Sequence, residues 1–197
     1  MNDSSDAFYN KISFLLNSRV PQRLEPPHAG RAAILMPIFD RGGDHFFLLT
    51  QRTHTVETHK GQISFPGGVV EAHDDTLSQT ALRETWEEIG LSPEKIKILG
   101  EFDEYLSVTD LIVTPFAARV HHLFELNPNP KEVEAVLEVP LSLFRGDSNL
   151  RIEVQRRLGR EWPVYFYNFQ GRDIWGLTAR VIRDFLRLID SRTPGPR

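Results

Sequence analysis

Apolar positions follow two periods along this chain. Near the N-terminus Phe8, Ile12, Leu15 and Leu16 fall three and four residues apart, which predicts a helix over Ser4–Arg19 with Ser4 or Ser5 as its N-cap. Pro21, Pro26, Pro27 and Gly30 then break the pattern into a loop. The run RAAILMPIF, Arg31–Phe39, has the unbroken apolar character of a buried strand, and Asp40-Arg41-Gly42-Gly43 predicts a turn into a hairpin partner over His45–Arg52.

Beyond a polar stretch a further helix is expected to carry Arg83, Glu84, Glu87 and Glu88, with Gly90 as a C-cap and Ser92-Pro93-Glu94-Lys95 as a turn. Strands are predicted over Ile96–Tyr105 and Leu111–Val120, joined by Ser107–Asp110, and over Val133–Val139 after the breaker cluster Asn127–Pro130. A short helix is expected over Pro140–Phe144, and an antiparallel pair over Ile152–Leu158 and Val164–Phe169 around Gly159-Arg160. Asp173 is read as the cap of a last helix whose stripe is Ile174, Leu177, Val181, Phe185 and Leu188. Strands and helices interleave around a mixed sheet.

A chain of 197 residues suits one domain over 1–197, with residues 1–20 as an N-terminal packing helix and 191–197 as a flexible tail. There is no internal repeat or low-complexity tract. With 40% hydrophobic and 25% charged residues the composition is that of a globular protein, and no apolar run is long enough for a bilayer. The acidic N-terminus, MNDSSDAFYN, lacks the order of a secretory signal. With no cysteine, disulfides, thiolate catalysis and cysteine-bound zinc are excluded, which suits a cytoplasmic location. A formal charge of −4 gives no footprint for nucleic acid, although a local basic patch can still hold a phosphate ligand. The oligomeric state is left open, a homodimer included.

The chemistry concentrates in GGVVEAHDDTLSQTALRETWEEIGL, Gly67–Leu91. On a helix Glu84, Glu87 and Glu88 gather along one edge, while Leu82, Thr85, Trp86 and Ile89 fall opposite, so one face is expected to pack and the other to be negative. Clustered carboxylates repel, and these lie towards the wrong end of the helix dipole. A positive partner is expected, and hard oxygen ligands select Mg²⁺ or Mn²⁺. The planar fork of Arg83 can fix a carboxylate, and Gly67 and Gly68 after Pro66 let backbone come close to a ligand. The competing reading of the bare Arg-Glu-x-x-Glu-Glu is an amphipathic surface helix with a solvated acidic face.

The full pattern, a Gly-Gly turn, an acidic loop and Arg-Glu-x-x-Glu-Glu-x-Gly with Leu91 after it, resembles the signature of the Nudix hydrolases. That resemblance implies an α/β/α sandwich with a mixed β-sheet. It implies a metal-dependent enzyme that cuts the diphosphate linkage of a nucleoside diphosphate derivative, with Glu84, Glu88 and Glu87 as metal ligands and Glu87 and Arg83 in catalysis. The chain has one residue more between Gly68 and Arg83 than the commonest signature, Asp74 or Asp75 stands in place of a glutamate, and Thr85 in place of an aliphatic residue. The roles of Glu71, Asp74 and Asp75 stay open.

Leu48, Leu49, Thr50 and Arg52, followed by Gly61, Phe65, Pro66, Gly67 and Gly68, are similar to the motif of the coenzyme A diphosphatase branch, as is Ile-Trp-Gly-x-Thr-Ala at residues 174–179. Coenzyme A is then the implied substrate, cut to adenosine 3′,5′-bisphosphate and 4′-phosphopantetheine, with Arg52, Lys60, Gly67 and Gly68 on the substrate side. Thr53 and Glu57 depart from that motif, and an anion at Glu57 in place of an arginine weakens a phosphate site unless Lys60 or Arg52 compensates. Another nucleoside diphosphate derivative, such as a nucleotide sugar or a dinucleotide, is the alternative, and a non-catalytic nucleotide sensor is the rival of a different class. Asp103, Glu104 and Asp110 are read as solvated loop carboxylates, and the pair His121-His122 as surface histidines.

Overall fold

A computed structural model describes residues 3–26, 28–54, 61–121, 124–157 and 160–191. The first helix, α1 (Asp3–Asn17), begins before either serine read as its cap. Ser5 lies inside the helix, and its hydroxyl donates instead to Asp40 across the fold, at 2.6 Å. The hairpin forms as expected, β1 (Gly30–Arg41) against β2 (Asp44–Arg52), with Phe39 opposite Phe46.

Two short strands, absent from the periodicity, follow: β3 (Ile63–Ser64) beside β2 and β4 (Gly67–Val69) beside β1. Strands this short carry too few residues for an alternation to register. Helix α2 (Leu77–Ile89) and a single 3-10 turn (Pro93–Lys95) lead to β5 (Ile96–Glu101), β6 (Tyr105–Leu106) and β7 (Leu111–Val120), so the long strand expected to Tyr105 is two pieces. β8 (Val133–Pro140) precedes a second 3-10 turn (Leu141–Phe144). A separate antiparallel sheet holds β9 (Leu150–Arg157), β10 (Arg160–Phe169) and β11 (Arg172–Trp175), before α3 (Gly176–Asp190).

Asp173 and Ile174 are corrections. Both belong to β11, paired with Asn168 and Tyr167, and the residue that caps α3 is Trp175. Gly176, with φ of 66°, turns the chain from strand to helix at once, and a periodicity count cannot see that corner.

The main sheet runs β3-β2-β1-β7-β5, with β4 beside β1, β6 beside β7 and β8 beside β2. β1 and β7 are parallel and the other pairs antiparallel, which makes the sheet mixed. Side chains alternate across it. Met36, Ile38, Phe47 and Leu49 meet Tyr9, Ile12 and Leu16 of α1 and Val181 and Phe185 of α3 on one face. Leu35 and Phe116 meet Ala81 of α2 on the other, where Phe39 and Leu48 meet Ile89. Both faces of β1 are therefore covered, which is why its sequence is apolar without interruption. The architecture is an α/β/α sandwich. No described helix is long and apolar enough to cross a membrane.

Glu104 overturns its expected exposure. Its side chain is fully buried and takes hydrogen bonds from the Leu24 backbone at 2.7 Å and from Arg31 Nη1 at 2.9 Å, with Arg23 at 3.2 Å. Asp103 likewise takes hydrogen bonds from Arg19 and the Gln22 backbone. Together they fasten the extended segment after α1 to the end of the sheet. Burial pushes the Glu104 carboxyl up, but the Leu24 N–H and the arginines outweigh it and hold it below the ordinary glutamate range. A lowered carboxylate pKa stabilises the fold above the unfolded value, and that stability is lost as pH falls through the folded value. Glu104→Gln is expected to lower stability by about 1–3 kcal/mol near neutral pH and to flatten the acid limb, measured by thermal melts across pH.

Candidate active site

Local chemistry fixes α2 at both ends. Thr76 accepts from the Gln79 N–H while Gln79 Oε1 accepts from the Thr76 N–H, a reciprocal cap, and Gly90 closes the helix in the left-handed region with φ of 68°. The buried stripe of the helix is Thr80, Ala81, Thr85, Glu88 and Ile89, spaced one, four, three and one apart. Thr85 fits this apolar stripe because its hydroxyl donates to Ala81 O at 2.7 Å. Glu88 is part of the same stripe, so the acidic edge is not wholly solvated.

Trp86 is the converse correction. It lies just beyond the packed stripe and is 52% exposed, because the sheet-facing arc is narrower than half the helix. Trp86→Ala is accordingly expected to cost about 1 kcal/mol or less in a thermal melt, far below the loss of a core aromatic.

Arg83 organises the acidic groups. Its Nε and Nη2 grip Asp74 at 3.0 and 2.8 Å, its Nη1 reaches Glu84 at 2.9 Å and Glu87 at 3.1 Å, and Nη2 also donates to Val69 O at 3.2 Å. Glu71 stands 3.6 Å from the same guanidinium. The longer acidic loop thus delivers Asp74 as the partner of the arginine fork. The Arg83 bonds, chiefly, hold the Asp74 carboxyl far below the usual carboxylate range against the effect of burial.

Gly67 and Gly68 are required by close approach. A Cβ on Gly67, whose φ is 152°, would strike Ala33 O and Ile34 on the neighbouring strand, and one on Gly68 would overlap the Glu84 carboxylate. Burial pushes the Glu84 carboxyl up, and Arg83 offsets this only in part.

Glu88 is only 4% exposed. Its Oε2 is buried without a hydrogen-bond partner, and Arg52 Nη1 stands 3.9 Å from Oε1. Desolvation pushes its pKa up to about 8, with Glu84 and Glu132 adding to the shift while Arg52 and the Gly67 N–H oppose it. Arg52 follows a bulge between Gln51 and Arg52 in β2, and its Nε too is buried without a partner. The guanidinium and the carboxyl face each other across a gap too long for a hydrogen bond.

Glu132 is the residue that the sequence reading missed. It precedes β8, its backbone carbonyl accepts from Thr53 N–H at 2.9 Å, and its carboxylate adds negative charge at both Glu84 and Glu88. The Asn127 and Asn129 N–H groups bond Ile89 O and Glu88 O at 2.8 Å each, so the loop before β8 is docked on the end of the helix. No periodicity or motif distinguished this glutamate from other surface acids. Lys60, His59 and Glu57 lie outside the described residues.

Among the described residues no three carboxylate or imidazole groups converge into a ready metal cage, because Arg83 stands between Glu84 and Glu87. The donors nevertheless fit a hard cation. A buried Glu88 oxygen with no partner, the Glu84 carboxylate held by Arg83 against backbone and Glu132 nearby bring hard oxygen ligands together.

Residues 29–157 match the family model described as NUDIX domain. The chain belongs to the Nudix family. A Nudix relative from Arabidopsis thaliana, Nudix hydrolase 22, chloroplastic, is 37% identical over 90% of this chain, and Nudix hydrolase 15, mitochondrial, of the same plant is 37% identical over 84%. The chain spans 60% and 59% of the lengths of those two plant proteins. A bacterial relative, the uncharacterized Nudix hydrolase NudL of Photorhabdus laumondii, is 37% identical over 86% of this chain and 89% of its own length. Among solved structures, a MutT/nudix family protein from Enterococcus faecalis superposes with a TM-score of 0.51 at 14% identity, over 96% of this chain and 75% of that one. A C. elegans Ap4A hydrolase does so with a TM-score of 0.50 at 22% identity, over 56% of this chain and 80% of that one. At these identities the superpositions speak for the Nudix fold alone.

Proposed function

We propose that the protein hydrolyses the diphosphate linkage of a nucleoside diphosphate derivative, with coenzyme A as the substrate, giving adenosine 3′,5′-bisphosphate and 4′-phosphopantetheine. The observation that carries the reading is the buried, unpartnered Glu88 oxygen beside Glu84 and the glycine pair. Glu84 and Glu88, with Glu132 close by, would hold Mg²⁺ or Mn²⁺. When bound, such an ion neutralises diphosphate charge and acidifies a coordinated water.

This chain's residues divide the remaining work. Glu87 is half exposed, so it keeps contact with water while Arg83 fixes it at 3.1 Å, which suits it to accept the proton of the attacking water or to complete the ligand set. Attack at phosphorus forms one P–O bond and breaks the bridging one, and the departing phosphate leaves as an anion. Arg83, by gripping Asp74, Glu84 and Glu87 together, aligns the acidic groups. Arg52, with its unpaired Nε, is positioned to take a phosphate oxygen, and Lys60 is proposed to assist it. The tight backbone at Gly67 and Gly68 keeps side chains out of the space next to Glu84.

The choice of coenzyme A rests on the motif that carries Arg52, Gly61, Phe65 and the glycine pair. Glu57, an acid where that motif has an arginine, favours a nucleotide sugar or dinucleotide as the second reading. A panel of coenzyme A, 3′-dephospho-coenzyme A, nucleotide sugars and dinucleoside polyphosphates, each incubated with Mg²⁺ or Mn²⁺ and resolved by mass spectrometry, separates the two. Coenzyme A is expected to be cleaved fastest, and cleavage of a different class alone would reassign the substrate. No turnover of any member would favour a sensing module.

A further inference from the structure

β9 is the outer strand of the three-stranded sheet, and no strand among the described residues pairs with its free edge. Tyr167 of β10 belongs to the core and Leu150 of β9 packs against it, whereas further along β9 Ile152 is 51% and Val154 63% exposed. Edge strands in soluble proteins are ordinarily shortened, bulged or interrupted by proline or lysine. β9 has eight residues, a regular register and neither proline nor lysine, and its charges are Arg151, Glu153, Arg156 and Arg157.

The hydrogen-bonding state of that edge follows from Pro163. Proline has no N–H, so its pairing with Val154 belongs to the non-hydrogen-bonded kind of antiparallel pair. In the same register the Asn168 N–H donates to Asn149 O at 3.2 Å, which places the odd-numbered residues of this strand towards β10. Leu150, Ile152 and Val154 therefore direct N–H and C=O to the open edge. Their side chains share one face, that of Tyr165 and Tyr167.

An antiparallel partner must offer open groups in the same alternation, and a second copy of β9 does so. The charges allow two registers and the apolar face chooses between them: an axis at Gln155 sets Glu153 against the partner's Arg157 twice but puts Val154 against Arg156. A two-fold axis at Arg151 would set Arg151 against itself, one at Glu153 would oppose two glutamates, and one at Val154 would give Glu153 only Gln155. An axis at Ile152 puts Arg151 opposite the partner's Glu153 twice and brings Leu150 against the partner's Val154 on the apolar face. Arg151 is already oriented by stacking on Phe166, 4.1 Å from its ring centre. We propose that the protein forms a two-fold dimer by antiparallel pairing of β9 with β9 of a second copy, Ile152 facing Ile152 across the axis.

Within one chain Arg151 also pairs with Glu153 and with Asp173 at 2.8 Å, so the test must separate contacts within a chain from contacts between chains. Arg151→Glu and Glu153→Arg each put like charges face to face twice, and each is expected to raise the dimer dissociation constant about tenfold to hundredfold in analytical ultracentrifugation. An equimolar mixture of the two variants sets every reversed charge against an opposite one, and is expected to form a heterodimer as tight as the parent. Val154→Pro removes an outward N–H without touching the bonds to β10 and is expected to give monomers, with circular dichroism melts reporting that each variant folds. A parent that is monomeric across the dilution series, species larger than two, single variants that dimerise as the parent does, or a mixture that stays monomeric would each overturn the proposal.

Discussion

Glu88→Gln is expected to lose at least about a hundredfold in turnover while melting no lower than the parent at pH 8. The amide keeps the shape of the side chain and removes the charge that the buried oxygen would offer a cation. Stability moves the other way because the carboxyl is held at about 8, above its ordinary value, by burial. For a carboxylate raised in the folded state, the protonated form is the favoured one, so its stabilisation is complete below the unfolded pKa and is lost as pH rises through about 8. Metal-free parent protein is therefore expected to lose on the order of a few kcal/mol between pH 5 and 8, a slope that Glu88→Gln removes. Added Mg²⁺ should raise the parent's melting temperature more at pH 8 than at pH 6, where a proton competes for the same oxygen. A parent whose metal-free stability is flat over this range, or a variant with normal turnover, would remove Glu88 from the site.

Gly68→Ala is expected to be the other large loss, at least about tenfold in kcat, with the fold retained. The three atoms nearest that methyl group all belong to the carboxylate of Glu84, which can swing away on its flexible stem. What gives is the functional group, and its displacement also draws Arg83 from its present geometry. Gly67→Ala makes a useful contrast, since there the clash is with Ala33 O and Ile34 and the expected damage is to stability. Equal loss of melting temperature in both variants would show that Gly68 serves packing instead of the site.

Much of the sandwich was legible because its long elements carry strong periods. Arg31–Phe39 reads as a buried strand since both its faces are covered, and the turn Asp40–Gly43 leaves its partner little freedom. The spacing of Glu84, Glu87 and Glu88 likewise placed them near one another, and the structure adds what spacing cannot give: Glu88 is dry while Glu87 is wet. Trp86 was misread because a helix wheel shows which residues share a side and not how wide the packed arc is. Asp173 was misread because a strand can pass into a helix at Gly176 without any change in hydrophobic content. Glu104 and Glu132 escaped for a different reason. Each owes its environment to residues distant in the chain, Arg23 and Arg31 for one and α2 for the other, and no local pattern encodes those meetings.

The central claim is that the Glu84–Glu88 face directs water onto a diphosphate. Its most direct measurement is ³¹P NMR of coenzyme A incubated with the protein and Mg²⁺, read against the same sample in chelator and against Glu88→Gln. The account predicts that the coupled diphosphate resonances vanish and that two new phosphomonoester resonances grow in equal amounts, one from each product, only with the parent protein and metal. Diphosphate resonances that persist with metal present, or that decay equally in chelator or with Glu88→Gln, would contradict it.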